Sequence, residues 1–180
     1  MFSVVIPVYN KELSISNTIQ SVLNQTFHDF EIVVVNDGST DNSVNRVREF
    51  DDPRIRIIDK PNGGVSSARN RGIKEANYEW IALLDGDDLW EKEHLEEYAR
   101  AIKENSELNW VISGYTVQSQ KRKINRIYKK HGILDNVFDD LLNCLSIHTS
   151  TVCVRKCLFE EFPMLYFREG MNNSEDREVW

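Results

Sequence analysis

The amino-acid sequence predicts an α/β fold in which a parallel sheet is covered by helices on both faces. Two observations lead to this prediction. Short apolar, β-branched runs recur along the chain up to about residue 105, and each is followed by a stretch with apolar residues at helical spacing. The 180 residues suit one compact domain. Strands that alternate with helices are joined by crossovers, which make the strands parallel and cover both faces.

The predicted strands are apolar runs that are shorter than the helices between them. They are expected at Phe2–Val8, Glu31–Val35, Arg54–Ile58 and Trp80–Leu84. The amphipathic stretches predict helices at Leu13–Leu23, Val44–Phe50, Ser66–Glu75 and Leu89–Lys103. After Glu104 the alternation is less regular. Strands are expected there at Trp110–Ser113, Tyr115–Gln118 and near Thr151–Arg155, and a helix near Val137–Leu145.

Composition and charge exclude several classes of function. The net charge of −7 does not suit a nucleic-acid-binding protein. No stretch approaches the ~18 to 20 apolar residues that cross a bilayer, and the first residues lack the basic start of a signal peptide. Three cysteines without zinc spacing are expected to be free thiols. We therefore expect a cytoplasmic protein.

Polar side chains follow the predicted strands where each strand ends. Asn10 follows the first strand, Asp37 the second and Asp85 the fourth, and the third runs into Asn62-Gly63-Gly64. In an open parallel sheet, ligands bind beyond the carboxyl ends of the strands, where the strand order reverses. The sequence therefore predicts one ligand site that is built from several strand ends.

The segment Asp85-Gly86-Asp87-Asp88 gives the clearest chemical indication. Alternate side chains of an extended segment share a face, so Asp85 and Asp87 are expected to point together, and Gly86 lets the backbone approach a ligand. Two hard carboxylates suit Mg²⁺ or Mn²⁺, which also keep waters and diphosphate oxygens as ligands. Asp88 is expected instead to form a capping box with Glu91.

Ordinary structural roles stay open for the other candidates. Asp37-Gly38 and Asn62-Gly63-Gly64 suit turns, Tyr9 suits packing, and Glu12 suits the positive end of the first helix. Arg69 and Asn70 suit a solvated helix face. Arg69 is nevertheless one of the few cations near this site, and a diphosphate needs one.

Five segments of the chain carry a resemblance to a known family. They are Val4–Glu12, Ser21–Thr26, Glu31–Asp41, Asn62–Asn70 and Asp85–Trp90. In this order they resemble the family-2 glycosyltransferases, an inverting group with the GT-A fold. The resemblance covers about the first hundred residues and implies a Rossmann-like, mostly parallel central sheet. Several motifs in register are far more specific than one glycine pattern.

The resemblance implies a role for each matched residue. Tyr9 and Asp37 would hold the nucleobase, and Arg69 would lie near the base or diphosphate. Asp85 would contact the ribose, the metal or both, and Asp87 would bind the metal. The expected donor-binding residues are Pro7, Tyr9, Glu12, Asp37, Asn62, Gly64, Arg69, Asp85 and Gly86. Ser174–Trp180 is similar to the family's Glu-Asp segment, in which Asp176 would be the catalytic base; the alternative is a carboxylate pair at a helix N-terminus.

The implied reaction moves a sugar from a nucleotide sugar, with uridine as the expected base, to an acceptor hydroxyl with inversion and help from Mn²⁺ or Mg²⁺. The acceptor would be a saccharide or a lipid-linked saccharide, in polysaccharide or glycoconjugate assembly. The alternative is a non-catalytic module that binds nucleotide sugars. We expect one domain over residues 1–180, truncated at its C-terminus, with a donor half to about residue 105 and an acceptor half over 106–180.

Two later features leave alternatives open. The basic segment Lys121–Lys130 suits a solvated face, an anionic membrane surface or a lipid-phosphate acceptor. Peripheral association with the cytosolic face of a membrane is therefore one expectation. His148 could reach the metal, but a structural histidine is the simpler interpretation. Nothing in the sequence predicts the oligomeric state.

Overall fold

The computed structural model describes residues 1–118, 123–126 and 147–170. The strands are β1 (Phe2–Val8), β2 (Phe30–Asp37), β3 (Ile55–Lys60), β4 (Trp80–Leu83), β5 (Trp110–Ile112), β6 (Tyr115–Gln118), β7 (Lys123–Arg126) and β8 (Val152–Arg155). The helices are α1 (Ile15–Leu23), α2 (Ser43–Arg48), α3 (Val65–Glu75), α4 (His94–Glu104) and α5 (Cys157–Glu161). Short 3₁₀ turns cover Thr149–Thr151 and Pro163–Leu165.

The central sheet has six described strands in the order β3-β2-β1-β4-β8-β5. β1 pairs in parallel with β2 and β4, β2 pairs in parallel with β3, and β8 runs antiparallel to its neighbours β4 and β5. β6 and β7 form a separate antiparallel pair. The chain steps outward from β1 to β3 and returns to β4 on the other side of β1. The strand order therefore reverses between β1 and β4, and the prediction of a mostly parallel sheet is confirmed.

Helices cover both faces of this sheet, as predicted. Val4 and Ile6 of β1 pack in a core cluster with residues of α1, α2 and α4. Val5, which points the other way, packs in a second cluster with Ala68 and Ile73 of α3 and with α5. Alternate side chains of a strand point to opposite faces, and the fully buried β1 supplies both clusters.

Two helices begin later than the sequence predicts. Leu13 is exposed, and α1 begins at Ile15. The segment from Leu89 to Glu93 stays outside α4, because Trp90 is buried and its indole Nε1 donates a hydrogen bond to the Ser150 carbonyl at 2.8 Å. Asp88 therefore lies too far from the helix start to cap it, and the predicted capping box is wrong. The helix predicted near Val137–Leu145 lies outside the described residues.

Two further features are the state of the cysteines and the length and apolar character of the helices. Cys153 and Cys157 are free thiols, as predicted, and burial raises the pKa of Cys153 well above its ordinary value. Among the described helices, none combines the length and the apolar character that crossing a bilayer requires.

Candidate functional site

The loops that follow β1 and β2 are held together at the carboxyl end of the sheet. Asn10 adopts a left-handed conformation, with φ of 52°, and its Oδ1 accepts a hydrogen bond from the Thr40 amide at 2.9 Å. Glu12 Oε2 accepts one from the Asn42 amide at 3.0 Å, while its own amide donates to Asp41 Oδ2. Glu12 thus holds the loop before α2 in place through these two hydrogen bonds, a role that its sequence position did not indicate. The exposed side chain of Tyr9 leaves its ring available to a ligand.

Hydrogen bonds also fix the charge state of Asp41 in this pair of loops. Burial alone would raise the pKa of Asp41. Donors from the hydroxyl and amide of Ser43 and from the amide of Glu12 outweigh that effect and lower the pKa. The carboxylate therefore stays ionised and keeps the start of α2 in place.

Asp37 organises the loop between β3 and α3. Its buried carboxylate accepts hydrogen bonds from the Gly63 and Gly64 amides, at 2.9 and 2.8 Å, and from Lys60 Nζ at 2.5 Å. Asn62 Nδ2 donates to the Asp37 carbonyl at 2.9 Å. Gly64 has φ of +88°, which favours glycine. The turn interpretation of Asp37-Gly38 is therefore incomplete, because the carboxylate binds a second loop.

Arg69 and Asn70 are buried, so their assignment to a solvated helix face is wrong. Arg69 Nη2 donates to Asp85 Oδ1 at 2.7 Å, and the guanidinium lies 5.0 Å from the centroid of the Phe167 ring. Asn70 exchanges two hydrogen bonds with the Phe167 backbone, at 2.8 and 2.9 Å. Helix α3 is therefore bonded both to the Asp85 segment and to the chain near residue 167.

The Asp85–Asp88 segment is a turn, which corrects the extended conformation that the sequence suggested. The Asp88 amide donates to the Asp85 carbonyl at 3.0 Å. Asp85 and Asp87 consequently have different partners, with Asp87 Oδ2 accepting a hydrogen bond from Lys11 Nζ at 2.5 Å. A Cβ on Gly86 would lie 3.1 Å from the Pro7 carbonyl, so glycine allows the turn to approach the end of β1.

Ser150 is a site residue that the sequence did not indicate. Its hydroxyl accepts a hydrogen bond from the Asp85 amide at 3.0 Å and donates one to Asp88 Oδ2 at 2.6 Å. His148 Nδ1 lies 3.6 Å from the same Asp88 oxygen. Ser150 is 62 residues from Asp88, in an uncharged stretch, so no local spacing points to it. The contact follows from the pairing of β8 with β4.

The carboxylates of Asp85 and Asp87 fit the chemistry of a Mg²⁺ or Mn²⁺ site. Both are oxygen donors and both are partly exposed, so a cation and its waters can reach them. Within residues 1–118, 123–126 and 147–170, no three His, Cys, Asp or Glu side chains are grouped as a metal cage. Water and diphosphate oxygens would have to complete the coordination. Asp176 and most of Lys121–Lys130 lie outside the described residues.

The sequence profile of glycosyl transferase family 2 matches residues 3–162. The chain belongs to this family. A similar curated protein, an uncharacterized glycosyltransferase of Rickettsia bellii, is 36% identical over 99% of this chain and 25% of its own length. The chain spans a quarter to a third of the length of the three Rickettsia relatives it matches.

A second family relative has a more specific name. The UDP-Glc:alpha-D-GlcNAc-diphosphoundecaprenol beta-1,3-glucosyltransferase WfgD of Escherichia coli is 36% identical over 100% of this chain and 68% of its own length. This chain covers more than twice as large a share of WfgD as of each Rickettsia protein.

Solved glycosyltransferase structures share the fold of this family 2 chain. TarS 1–349 of S. aureus in complex with UDP-GlcNAc matches with a TM-score of 0.77 and 26% identity, over 98% of this chain and 51% of TarS. The mannosyltransferase PcManGT of Pyrobaculum calidifontis, solved with GDP-Man and Mn²⁺, matches in fold with a TM-score of 0.71 and 19% identity, over 98% of this chain and 50% of its own. The predicted GT-A fold is confirmed.

Proposed function

We propose that this chain transfers a sugar from a nucleoside-diphosphate sugar, with uridine as the base, to an acceptor hydroxyl. The observation that carries the proposal is a connected set of loops at the carboxyl ends of β1 to β4. The loop after β1 is bonded to those after β2 and β4, and the last residue of β2, Asp37, is bonded to the loop before α3. A relative named for UDP-Glc and a similar structure with UDP-GlcNAc support uridine.

In the proposed donor site, the exposure and the hydrogen-bond partners of each side chain indicate which part of the donor it would contact. The exposed ring of Tyr9 can stack on a nucleobase, which Asp37 would contact with the remaining acceptor capacity of its carboxylate. Arg69 would supply positive charge to the diphosphate, and the Asn62–Gly64 loop would bring backbone amides close to it. Glu12, Pro7 and Gly86 would set the shape of the site.

Asp85 and Asp87 would hold a Mg²⁺ or Mn²⁺ ion. When bound, the ion would neutralise negative charge on the leaving nucleoside diphosphate as a Lewis acid. Ser150 would keep the Asp85–Asp88 turn in place through its two hydrogen bonds. Arg69, already paired with Asp85, would remain near both the ion and the donor.

We propose a single displacement at the anomeric carbon. Asp176 would accept the proton of the acceptor hydroxyl as its oxygen forms the new bond, while the bond to the diphosphate breaks on the opposite face. This geometry inverts the anomeric configuration.

The acceptor belongs to the proposal as well. We propose a saccharide or lipid-linked saccharide, used in polysaccharide or glycoconjugate assembly at the cytosolic face of a membrane. WfgD is named for a diphosphoundecaprenol-linked acceptor. In this scheme residues 1–105 bind the donor and residues 106–180 contribute to the acceptor side of one domain.

The test is release of UDP from a panel of UDP-sugars, with and without a lipid-diphosphate saccharide acceptor. We expect release that depends on acceptor, loss of transfer in Asp176→Asn with UDP binding retained, and little change in the matched control Asp51→Asn, an exposed site. Binding of UDP without any turnover would favour the non-catalytic module. NMR of the product tests inversion, and a retained anomeric configuration would contradict the single displacement.

A further inference from the structure

Among the described residues of the site, three carboxylates pair with a lysine or an arginine, and the three pairs differ in exposure. Lys60 pairs with Asp37, with 17% and 3% of the two side chains exposed, and Arg69 pairs with Asp85, with 4% and 25% exposed. The side chains of Lys11 and Asp87 are 36% and 51% exposed. The Lys11–Asp87 pair is therefore the one that water and ions reach most freely.

We propose that Lys11 is a built-in competitor for the divalent cation at Asp87. Its ammonium holds the carboxylate in the metal-free protein and leaves it when the metal binds. The inference rests on the proposed function, in which Asp87 is a metal ligand. It adds a specific role for a lysine that the donor-site assignment leaves unused.

The position of Lys11 is fixed by its backbone. Its amide donates to Ser43 Oγ at 2.6 Å, and its carbonyl accepts a hydrogen bond from the Ile15 amide at 2.9 Å. Its Cγ lies 3.5 Å from where a Cβ on Gly86 would stand, so the stem passes close to the turn. The ammonium reaches Asp87 because its starting point is rigid and Gly86 leaves room.

The contact is also easily exchanged. Within the described residues, Asp87 is the sole hydrogen-bond acceptor of the Lys11 ammonium, whereas Lys60 Nζ also donates to the Pro61 carbonyl at 2.8 Å. A lysine ammonium is strongly hydrated and sits on a flexible four-carbon stem, so it can move into water at little cost. A divalent ion at Asp87 would repel the ammonium and replace it as the counter-charge.

The expected effect is moderate, because an exposed ion pair is weak. Removing the competing ammonium should tighten Mn²⁺ binding about two- to fivefold at low salt. The difference should shrink as ionic strength rises, since salt screens the exposed pair.

Calorimetric titration with Mn²⁺ alone tests the inference in four proteins: wild type, Lys11→Met, Asp87→Asn and the matched control Lys103→Met. Lys103 is an exposed lysine in the last turn of α4, and its substitution removes the same charge. We expect tighter binding in Lys11→Met alone and weaker binding in Asp87→Asn. Equal or weaker binding in Lys11→Met, with a clear loss in Asp87→Asn, would overturn the role of Lys11 and leave the metal site standing. Unchanged binding in Asp87→Asn would overturn both.

A second readout uses the wild-type protein, so it does not depend on the folding of a variant. An amine-acetylating reagent followed by peptide mass spectrometry reports how accessible each lysine is. Mn²⁺ should raise the acetylation rate of Lys11 at least twofold and leave that of Lys103 unchanged. A Lys11 rate that is insensitive to saturating Mn²⁺ would contradict displacement of the ammonium.

Discussion

At the scale of single residues, His94 couples the stability of the fold to pH. Its ring stacks on that of Trp90, with centroids 4.4 Å apart, and makes a T-shaped contact with the ring of Tyr98, also with centroids 4.4 Å apart. Burial lowers the pKa of His94 from 6.5 to about 3. The folded protein therefore binds this proton less readily than the unfolded chain does.

The sign of the pH dependence follows from that difference. Above pH 6.5 His94 is neutral in both states, and between about 6.5 and 3 only the unfolded chain gains the proton. As the pH falls through that window, this one group should lower the free energy of unfolding by up to about 1.4 kcal/mol per pH unit. Urea unfolding at several pH values should show a flatter profile for His94→Leu.

His28→Leu is the matched control, because His28 is exposed and undergoes the same substitution. It should keep the slope of the wild-type protein. A wild-type slope in His94→Leu would mean that His94 is not the source of the pH dependence.

At the scale of elements, the 3₁₀ turn Thr149–Thr151 connects the antiparallel part of the sheet to the candidate metal site. Ser150 bonds to Asp85 and Asp88, and its carbonyl accepts the Trp90 indole N–H. Tyr98 of α4 donates to the Thr151 carbonyl at 2.6 Å. The turn thus holds the Asp85–Asp88 segment through Ser150, independently of the Lys11–Asp87 contact.

Ser150→Ala should show whether the Ser150 hydroxyl positions the Asp85–Asp88 turn or whether the side chain only fills space. The substitution leaves the Asp85 amide and the Asp88 carboxylate without the hydroxyl, which should lower the free energy of unfolding by about 1 to 2 kcal/mol. Chemical denaturation measures that loss. UDP binding in the presence of Mn²⁺ should weaken as well, and Ser150→Thr should restore part of both.

Ser16→Ala is the control for this prediction, since Ser16 lies on the partly exposed surface of α1. Its free energy of unfolding should stay within about 0.5 kcal/mol of the wild-type value. If Ser150→Ala matched Ser16→Ala in both stability and UDP binding, the turn would have no positioning role.

Most of the strands and helices in the first hundred residues lie where the apolar pattern of the sequence predicts them. Apolar periodicity predicted all four parallel strands from β1 to β4 and the helices between them, because burial of one or both faces fixes that pattern. It failed at the start of α4, where Trp90 is buried against the chain near Ser150 rather than in a helix. A contact between residues 60 positions apart overrides the local helical pattern there.

At the scale of the whole molecule, the sequence predicted which strand ends supply polar groups but not how those groups are paired. The side chains of Lys11, Arg69 and Ser150 reach the Asp85–Asp88 turn from separate parts of the chain. Such partnerships depend on strand order and on the antiparallel addition of β8, which periodicity does not encode. Asp176 stays a prediction from resemblance, since it lies outside the described residues.

The central claim is that this edge of the sheet binds a nucleoside diphosphate together with a divalent cation. The most direct test is the thermal unfolding midpoint with UDP, GDP or ADP, each with Mn²⁺ or with a chelator. Ligand at ~100 times its dissociation constant stabilises by about 2.7 kcal/mol, or roughly 5 to 10 °C in a domain of this size. We predict that shift for UDP with Mn²⁺, and its loss with the chelator. No shift with any nucleotide, in protein that unfolds cooperatively, would contradict the account.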